Sequence, residues 1–134
     1  MKKLHTEKTS YPVDKIDFIP KRLRTALKKT GILFLHRFQY EALKKGLNRQ
    51  NLVISAPTGS GKTLISEILS IIDIIMHDSI SLFLVPYKAI AEELKENMMQ
   101  KYPFLRIGIA TGDYRETPIN RLGVEYDFII TTYE

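Results

Sequence analysis

Apolar and polar positions divide the chain into two alternating kinds of segment. Helical spacing of apolar residues, with repeats three and four positions apart, predicts helices over 20–30, 38–47 and 89–98. Between the helical segments lie nearly continuous apolar runs of strand length, at 52–55, 81–85, 106–110 and 128–132. Strands buried on both faces show such continuous runs, and strands that alternate with helices pair in parallel. The pattern therefore predicts an α/β fold built on a parallel sheet.

A further helical stretch, 64–76, is apolar around most of its circumference. It is only 13 residues long and contains Glu67 and Asp73. A membrane-spanning helix needs about 20 apolar residues, so this one is too short. We expect a helix buried on more than one side and no membrane partner.

A glycine-bearing loop follows the first apolar run and leads into that helix. It fits the strand–loop–helix motif that cradles phosphates, except that alanine stands at the position of the first glycine. Glycines allow positive φ and close backbone approach, so that loop N–H groups and the helix amino end can converge on an anion. The predicted cofactor-binding residues of the loop are Ala56, Pro57, Thr58, Gly59, Ser60, Gly61, Lys62 and Thr63.

Two residues at the end of this loop have the chemistry that ATP requires. Lys62 is expected to reach the β- and γ-phosphates, and the Thr63 hydroxyl is expected to bind Mg²⁺, which prefers oxygen ligands. We assign both as catalytic, with Thr63 as the metal ligand. ATP and Mg²⁺ are the predicted cofactors.

Composition limits the class of protein. The chain has 134 residues, 44% of them hydrophobic, which suits one packed domain. It has no cysteine, which excludes disulfides and thiolate metal sites, and no signal-like segment at its amino end, so a cytoplasmic location is expected.

The net charge of +5 is concentrated near the amino end. Residues 1–30 hold nine Lys or Arg against three acids, and the remaining residues hold eleven against twelve. Such a bias can mark contact with nucleic-acid phosphates, although surface lysines are more often only solvated. We predict a basic segment with its helix over 1–30 and a nucleotide-binding domain over 31–134.

Together the motifs resemble the Ski-like branch of superfamily 2 helicases, within it the archaeal and eukaryotic DNA-repair helicases. The resemblance covers nearly the whole chain and implies the first part of a RecA-like motor domain. It is carried, in order, by Gly31-Ile32 through Phe38-Gln39-Tyr40-Glu41-Ala42-Leu43, by the loop at 56–63, by Val85-Pro86-Tyr87-Lys88-Ala89-Ile90-Ala91-Glu92-Glu93, by Thr111-Gly112-Asp113-Tyr114 and by Thr131-Thr132-Tyr133-Glu134.

The resemblance implies two further sets of contacts. Gln39 corresponds to a glutamine that recognises adenine, because its amide can both donate and accept a hydrogen bond. Contacts to the phosphates of one nucleic-acid strand, independent of base sequence, are implied at other strand ends. The alternative for these positions is ordinary turn chemistry. The implied positions are Pro86, Lys88, Thr111, Gly112, Thr131 and Thr132.

The chain departs from the family pattern at three points. Phe38 and Tyr133 stand where the family usually has proline. No Asp-Glu pair of the Walker B type follows the loop, so the carboxylates that complete Mg²⁺ binding are absent from these residues. We therefore expect an amino-terminal fragment, truncated before that motif, that needs the remainder of the helicase chain to hydrolyse ATP.

These observations favour a fragment of an ATP-dependent helicase that binds ATP phosphates and single-stranded nucleic acid, with DNA favoured over RNA. The alternatives are another P-loop nucleic-acid motor, of the restriction or CRISPR-associated kind, and a non-catalytic nucleic-acid-binding remnant. In the family that the chain resembles, other strands separate the P-loop strand from the next strand in sequence. We therefore expect the isolated segment to be poorly stable, self-associated or locally rearranged.

Overall fold

The structure, a computed structural model, describes residues 8–111 and 119–133. A 3₁₀ turn at Val13–Lys15 follows the first strand. The other elements, in chain order, are β1 (Ser10–Pro12), α1 (Lys21–Lys29), β2 (Phe34–His36), α2 (Arg37–Leu47), α3 (Lys62–His77), β3 (Ser81–Val85), α4 (Lys88–Lys101), β4 (Ile107–Ala110), α5 (Ile119–Glu125) and β5 (Phe128–Thr132).

The chain divides into two compact units, residues 1–69 and residues 70–134, and the division falls inside α3. In the first unit, β1 pairs with β2 in an antiparallel ribbon, with Tyr11 opposite Leu35. This pairing joins the segment before residue 30 to the segment after it. The domain boundary predicted at that residue stays a prediction.

Helix α1 forms because one of its faces is apolar and its ends are marked. Leu23, Ala26 and Leu27 are buried at helical spacing. Pro20 stands at the N-cap, and Gly31 follows the C-cap with φ of 86°, the left-handed conformation that glycine adopts readily. Helix α2 buries Leu43 in the same unit, and the Tyr11 ring stacks on Tyr40 from α2 at 3.9 Å between centroids.

The second unit contains a parallel three-stranded sheet in the order β3-β5-β4. The central strand β5 buries Phe128, Ile129 and Ile130, while α4 buries Ala91 and Met98. The predicted strands at 81–85 and 128–132 have the predicted bounds, and the strand predicted at 106–110 begins one residue later. The α/β fold with a parallel sheet is confirmed.

One predicted strand does not form. Residues 51–57 lie within the described part of the chain and belong to no strand or helix, and Val53 is fully exposed. A strand of a parallel sheet exists only where neighbouring strands take up its N–H and C=O groups. The apolar run at 52–55 has the composition of a strand, but no strand among the described residues pairs with it.

An ion pair joins the amino ends of β4 and β5, and a backbone hydrogen bond adds the amino end of β3. Arg106, just before β4, donates from Nη2 to Asp127 Oδ1 at 2.8 Å and from Nε to Oδ2 at 3.3 Å. The backbone N–H of Ser81 donates to the Asp127 carbonyl at 2.9 Å, and the Asp127 N–H donates to the Arg106 carbonyl at 2.8 Å. The Arg106 hydrogen bond holds the pKa of Asp127 below its usual value.

Candidate functional site

The loop at 56–63 adopts a conformation suited to an anion. Gly59 and Gly61 have φ of 81° and 91°, and α3 begins at Lys62 directly after them. The first N–H groups of a helix have no partner within the helix, and the amino end carries partial positive charge. Loop and helix thus present backbone donors at the predicted position.

Lys62 closes this loop on itself. Its Nζ donates to the carbonyl oxygen of Ala56 at 2.7 Å, so the first and seventh residues of the motif are joined. The bond places the ammonium group over the loop. A phosphate oxygen is a stronger partner for this cation than a neutral carbonyl, because both members of the pair are then charged.

Thr63 and Ser60 supply hydroxyl groups beside the loop. Thr63 is exposed in the first turn of α3. Ser60 is partly buried, and its Oγ has no hydrogen-bond partner within the described part of the chain. The described residues contain no group of three or more His, Cys, Asp or Glu side chains able to hold a metal ion. Thr63 Oγ1 is a hard oxygen donor of the kind that Mg²⁺ prefers, and its role as a metal ligand stays a prediction.

Gln39 contacts the phosphate loop directly. Its side chain is 4% exposed, its Oε1 accepts from the His36 N–H at 2.9 Å, and its Nε2 donates to the Gly61 carbonyl at 3.1 Å. The structure thus brings the predicted adenine-binding residue and the predicted phosphate loop together. Its contact with adenine stays a prediction.

A cavity of about 400 Å³ adjoins both Gln39 and the loop. Its walls include residues that the sequence did not single out as binding residues, although Leu33 and Phe34 are each more than half exposed. No signal in the sequence marks these residues, because their exposure is known only from the structure. They can supply the apolar contact that a flat base needs. The lining residues are Gly31, Ile32, Leu33, Phe34, His36, Gln39, Gly59, Ser60, Gly61 and Leu64.

The predicted strand-contacting residues of the second unit lie at the carboxyl edge of its sheet. Val85 pairs in register with Thr132, and Ala110 pairs with Thr131, so the residues that follow β3 and β4 leave the sheet at one level. Pro86 is exposed there, and Thr131 and Thr132 are half-buried. Gly112 lies outside the described residues.

Lys88 and Thr111 line one cavity of about 470 Å³ in the second unit. Lys88 is the exposed first residue of α4, and Thr111 follows β4. Thr111 is 5% exposed, and among the described residues its hydroxyl has no hydrogen-bond partner. One face of α4 forms the rest of the wall, through Glu92, Lys95, Glu96 and Met99 together with Ile109 from β4.

Comparison with known proteins decides the family. Residues 36–134 match the model of the DEAD/DEAH box helicases. The chain belongs to this helicase family. Among its relatives are two proteins named ATP-dependent DNA helicase Hel308, from Thermococcus kodakarensis and Pyrococcus horikoshii, which are 41% and 42% identical over 90% and 87% of this chain. The predicted resemblance to superfamily 2 helicases is confirmed.

Solved helicase structures are similar to this chain. The DUF1998 helicase MrfA bound to DNA is similar over 92% of this chain, with a TM-score of 0.80 and 25% identity. The same helicase bound to DNA and AMPPNP has a TM-score of 0.77 and 27% identity over the same share. The chain spans 18% of each MrfA chain and 11% and 16% of the two Hel308 relatives. Among the described helices, none has the length and apolar character needed to cross a bilayer.

Proposed function

We propose that this chain is the part of an ATP-dependent DNA helicase that binds the nucleotide phosphates and contacts one nucleic-acid strand. The observation that carries the proposal is the loop at 56–63, with two left-handed glycines and a helix that begins at Lys62. The relatives named above are DNA helicases, which supports this function over a restriction or CRISPR-associated motor and over a non-catalytic remnant. The whole helicase would unwind or translocate on DNA.

In the proposed site, Lys62 exchanges the Ala56 carbonyl for the β- and γ-phosphates of ATP. The loop N–H groups and the amino end of α3 hold the same anion by short backbone contacts. A bound Mg²⁺, with Thr63 as its protein ligand, would neutralise charge on the phosphates and orient them. Hydrolysis further requires carboxylates that position water, and we assign this to the rest of a full-length helicase.

Lys62→Ala tests the phosphate site. We expect titration calorimetry with Mg-ATP to show at least a tenfold loss of affinity, because a charge-assisted contact contributes about 1.5–3 kcal/mol. The matched control is Lys29→Ala, which removes the same charge from an exposed position at the end of α1. Thermal melting should be similar for both variants. Unchanged ATP affinity in the Lys62 variant would overturn the assignment.

The carboxyl edge of the sheet is the proposed contact surface for a DNA strand. Lys88 offers a positive charge, and the buried Thr111 hydroxyl offers a donor without a partner among the described residues. The other predicted contacts are Pro86, Gly112, Thr131 and Thr132, and the two threonines pair in register with the last residues of β4 and β3. Phosphate contacts of this kind fix a strand without reading its bases.

Lys88→Ala tests this surface. Fluorescence anisotropy with two single-stranded DNAs of unrelated sequence should show a similar loss for both, and the salt slope should become shallower by about one phosphate contact. Lys45→Ala, at an exposed position of α2 outside the basic segment, serves as the control for net charge. A loss confined to one of the two sequences would contradict a phosphate role.

Self-association of the 134-residue chain is proposed on a separate observation. Leu82 and Leu84 alternate along β3 and are 60% and 57% exposed, so one face of this strand presents leucines to solvent. Exposed apolar residues on an edge strand promote pairing between chains. Sedimentation of the chain and of a Leu82→Lys, Leu84→Lys variant should show a shift toward monomer. Identical sedimentation of the two would exclude this surface.

A further inference from the structure

The orientation of the Gln39 side-chain amide is set by two backbone groups. The His36 N–H requires an acceptor and therefore meets Oε1, while the Gly61 carbonyl requires a donor and therefore meets Nε2. With 4% of the side chain exposed, the amide has little freedom to rotate away. Gln39 thus links the amino end of α2 to a residue of the phosphate loop 22 positions later.

The bond to Gly61 fixes a peptide plane as well as a position. In a trans peptide the C=O and the following N–H lie in one plane and point in opposite directions, and the described chain contains no cis peptide. Holding the Gly61 carbonyl toward Gln39 therefore directs the Lys62 N–H away from Gln39. That N–H belongs to the first residue of α3, so it has no partner within the helix.

We propose that Gln39 is a positioning residue for phosphate: it orients the Lys62 N–H through the Gly61 carbonyl, whichever base the ligand carries. The inference rests on the proposed phosphate site and adds a role that is separate from adenine contact. It predicts that the loss of Gln39 lowers the affinity even for a phosphate ligand that has no base.

Gly61 is matched to this role in two ways. Its φ of 91° is a conformation that residues with a side chain rarely adopt. A Cβ added at Gly61 would also collide with Gln39 Nε2. The close approach of the amide to the loop therefore depends on glycine at this position, whereas at Gly59 nothing lies within 4 Å of an added Cβ.

The amide could serve adenine as well, because it keeps one N–H and one oxygen lone pair beyond its two bonds. A residue that only reads adenine affects ATP and leaves base-free phosphates untouched. A residue that orients the loop affects both. Inorganic tripolyphosphate, which has no base or sugar, separates the two roles.

The decisive variant is Gln39→Met, which nearly conserves side-chain volume and removes the amide. We expect the Mg²⁺-dependent affinities for tripolyphosphate, ATP and GTP to fall together by about fivefold, which is one hydrogen bond of about 1 kcal/mol. Gln100→Met, at an exposed position of α4, is the matched control and should change none of the three. Loss of ATP affinity alone, with tripolyphosphate unchanged, would overturn the proposal.

A spectroscopic measurement guards against a general loosening of the fold. The backbone nitrogen of Lys62 is bonded to the Gly61 carbonyl carbon. Its ¹⁵N chemical shift therefore responds when the Gly61 carbonyl oxygen loses the hydrogen bond from Gln39 Nε2. In Gln39→Glu the acceptor for the His36 N–H remains and the donor to Gly61 is lost. We expect the Lys62 resonance to move in both Gln39 variants. Gln39→Glu places a carboxylate beside the Gly61 carbonyl at a buried position, so its melting temperature should fall, whereas Gln39→Met removes the amide without adding a charge. An unmoved Lys62 resonance would overturn the proposal.

Tripolyphosphate binding by the Lys62 and Gln39 variants separates the phosphate site from the positioning role of Gln39. If Lys62→Ala leaves tripolyphosphate binding intact, the phosphate site itself is wrong and the role of Gln39 falls with it. If Lys62→Ala abolishes binding and Gln39→Met has no effect on tripolyphosphate, only the positioning role is wrong.

Discussion

Two apolar runs of similar composition have different fates in this molecule. Phe128, Ile129 and Ile130 form the buried centre of β5, with β3 on one side and β4 on the other. Leu52, Val53 and Ile54 lead into the phosphate loop and form no strand, and Val53 is fully exposed. Strand propensity favours both runs. The difference lies in the neighbours, because an extended segment becomes a strand only when other backbones satisfy its polar groups.

The comparison bears on how the two candidate sites are supported. At the carboxyl edge of the sheet, Thr131 and Thr132 are held by parallel pairing of β5 with its neighbours. The phosphate loop is held instead by individual hydrogen bonds, from Lys62 to Ala56 and from Gln39 to Gly61. Side-chain bonds of this kind can be exchanged one at a time, so we expect the loop to respond to ligand more readily than the sheet edge.

The largest predicted effect contrasts the two runs directly. Phe128→Ala should reduce the free energy of unfolding by about 3–5 kcal/mol, because removing the ring leaves a cavity. The ring is fully buried, and its centroid lies 4.4 Å from that of the Phe83 ring. Val53→Ala should change it by no more than about 0.5 kcal/mol. Urea unfolding followed by circular dichroism measures both. Where Phe128→Ala is too unstable to study, Ile130→Val should cost about 1 kcal/mol. Equal costs at Val53 and Phe128 would remove the contrast.

The second prediction concerns Gly108, a buried glycine in the sheet. A Cβ at Gly108 in β4 would lie 2.7 Å from the Tyr126 ring, which cannot yield as a flexible side chain can. Gly108→Ala should therefore destabilise by about 1–3 kcal/mol. Truncating the ring relieves the collision, so Gly108→Ala with Tyr126→Ala should cost less than the sum of the two single changes. Strict additivity in unfolding measurements would show that this contact is not the cause.

The smallest predicted effect is a pH dependence that belongs to the sheet unit. The pKa of Asp127 is lowered chiefly by its hydrogen bond from Arg106, so the folded state favours the ionised carboxylate. This contribution is present above the unfolded pKa of about 4 and is lost as pH falls through the lower folded value. Asp127→Asn should lower the stability at neutral pH by no more than about 1 kcal/mol, because Arg106 is exposed and water screens the pair, and it should flatten the acid side of the stability profile. An unchanged profile would contradict this ion pair's role.

Much of the fold could be predicted because the relevant signals are local. Periodic apolar residues and flanking Pro20 and Gly31 located α1, and the continuous runs located β3 and β5 to the residue. The short ribbon of β1 and β2 was missed, since three-residue strands such as Ser10–Pro12 carry almost no pattern. The strand at 52–55 was wrongly predicted because composition cannot show whether a partner strand is present.

The candidate site divides in the same way. The loop glycines and Lys62 were predicted from the motif, because their chemistry is encoded by adjacent residues. The bond from Gln39 to Gly61 joins residues 22 positions apart and depends on how α2 packs, which no local pattern reports. The cavity wall at Ile32, Leu33 and Phe34 was missed for a related reason, since exposed apolar residues acquire a role only beside the surface that they face.

The ion pair of Arg106 and Asp127 makes the two ends of the sheet different. Together with the backbone bond from Ser81 to Asp127, it holds the end where β3, β4 and β5 begin, while Lys88, Thr111 and Thr132 lie at the end where the chain leaves the strands. Substitutions at the carboxyl edge can therefore alter ligand binding without removing the ion pair and hydrogen bonds at the amino ends of the strands. A protein engineer could therefore vary the residues at that edge to change ligand specificity while the opposite end keeps the strands in register.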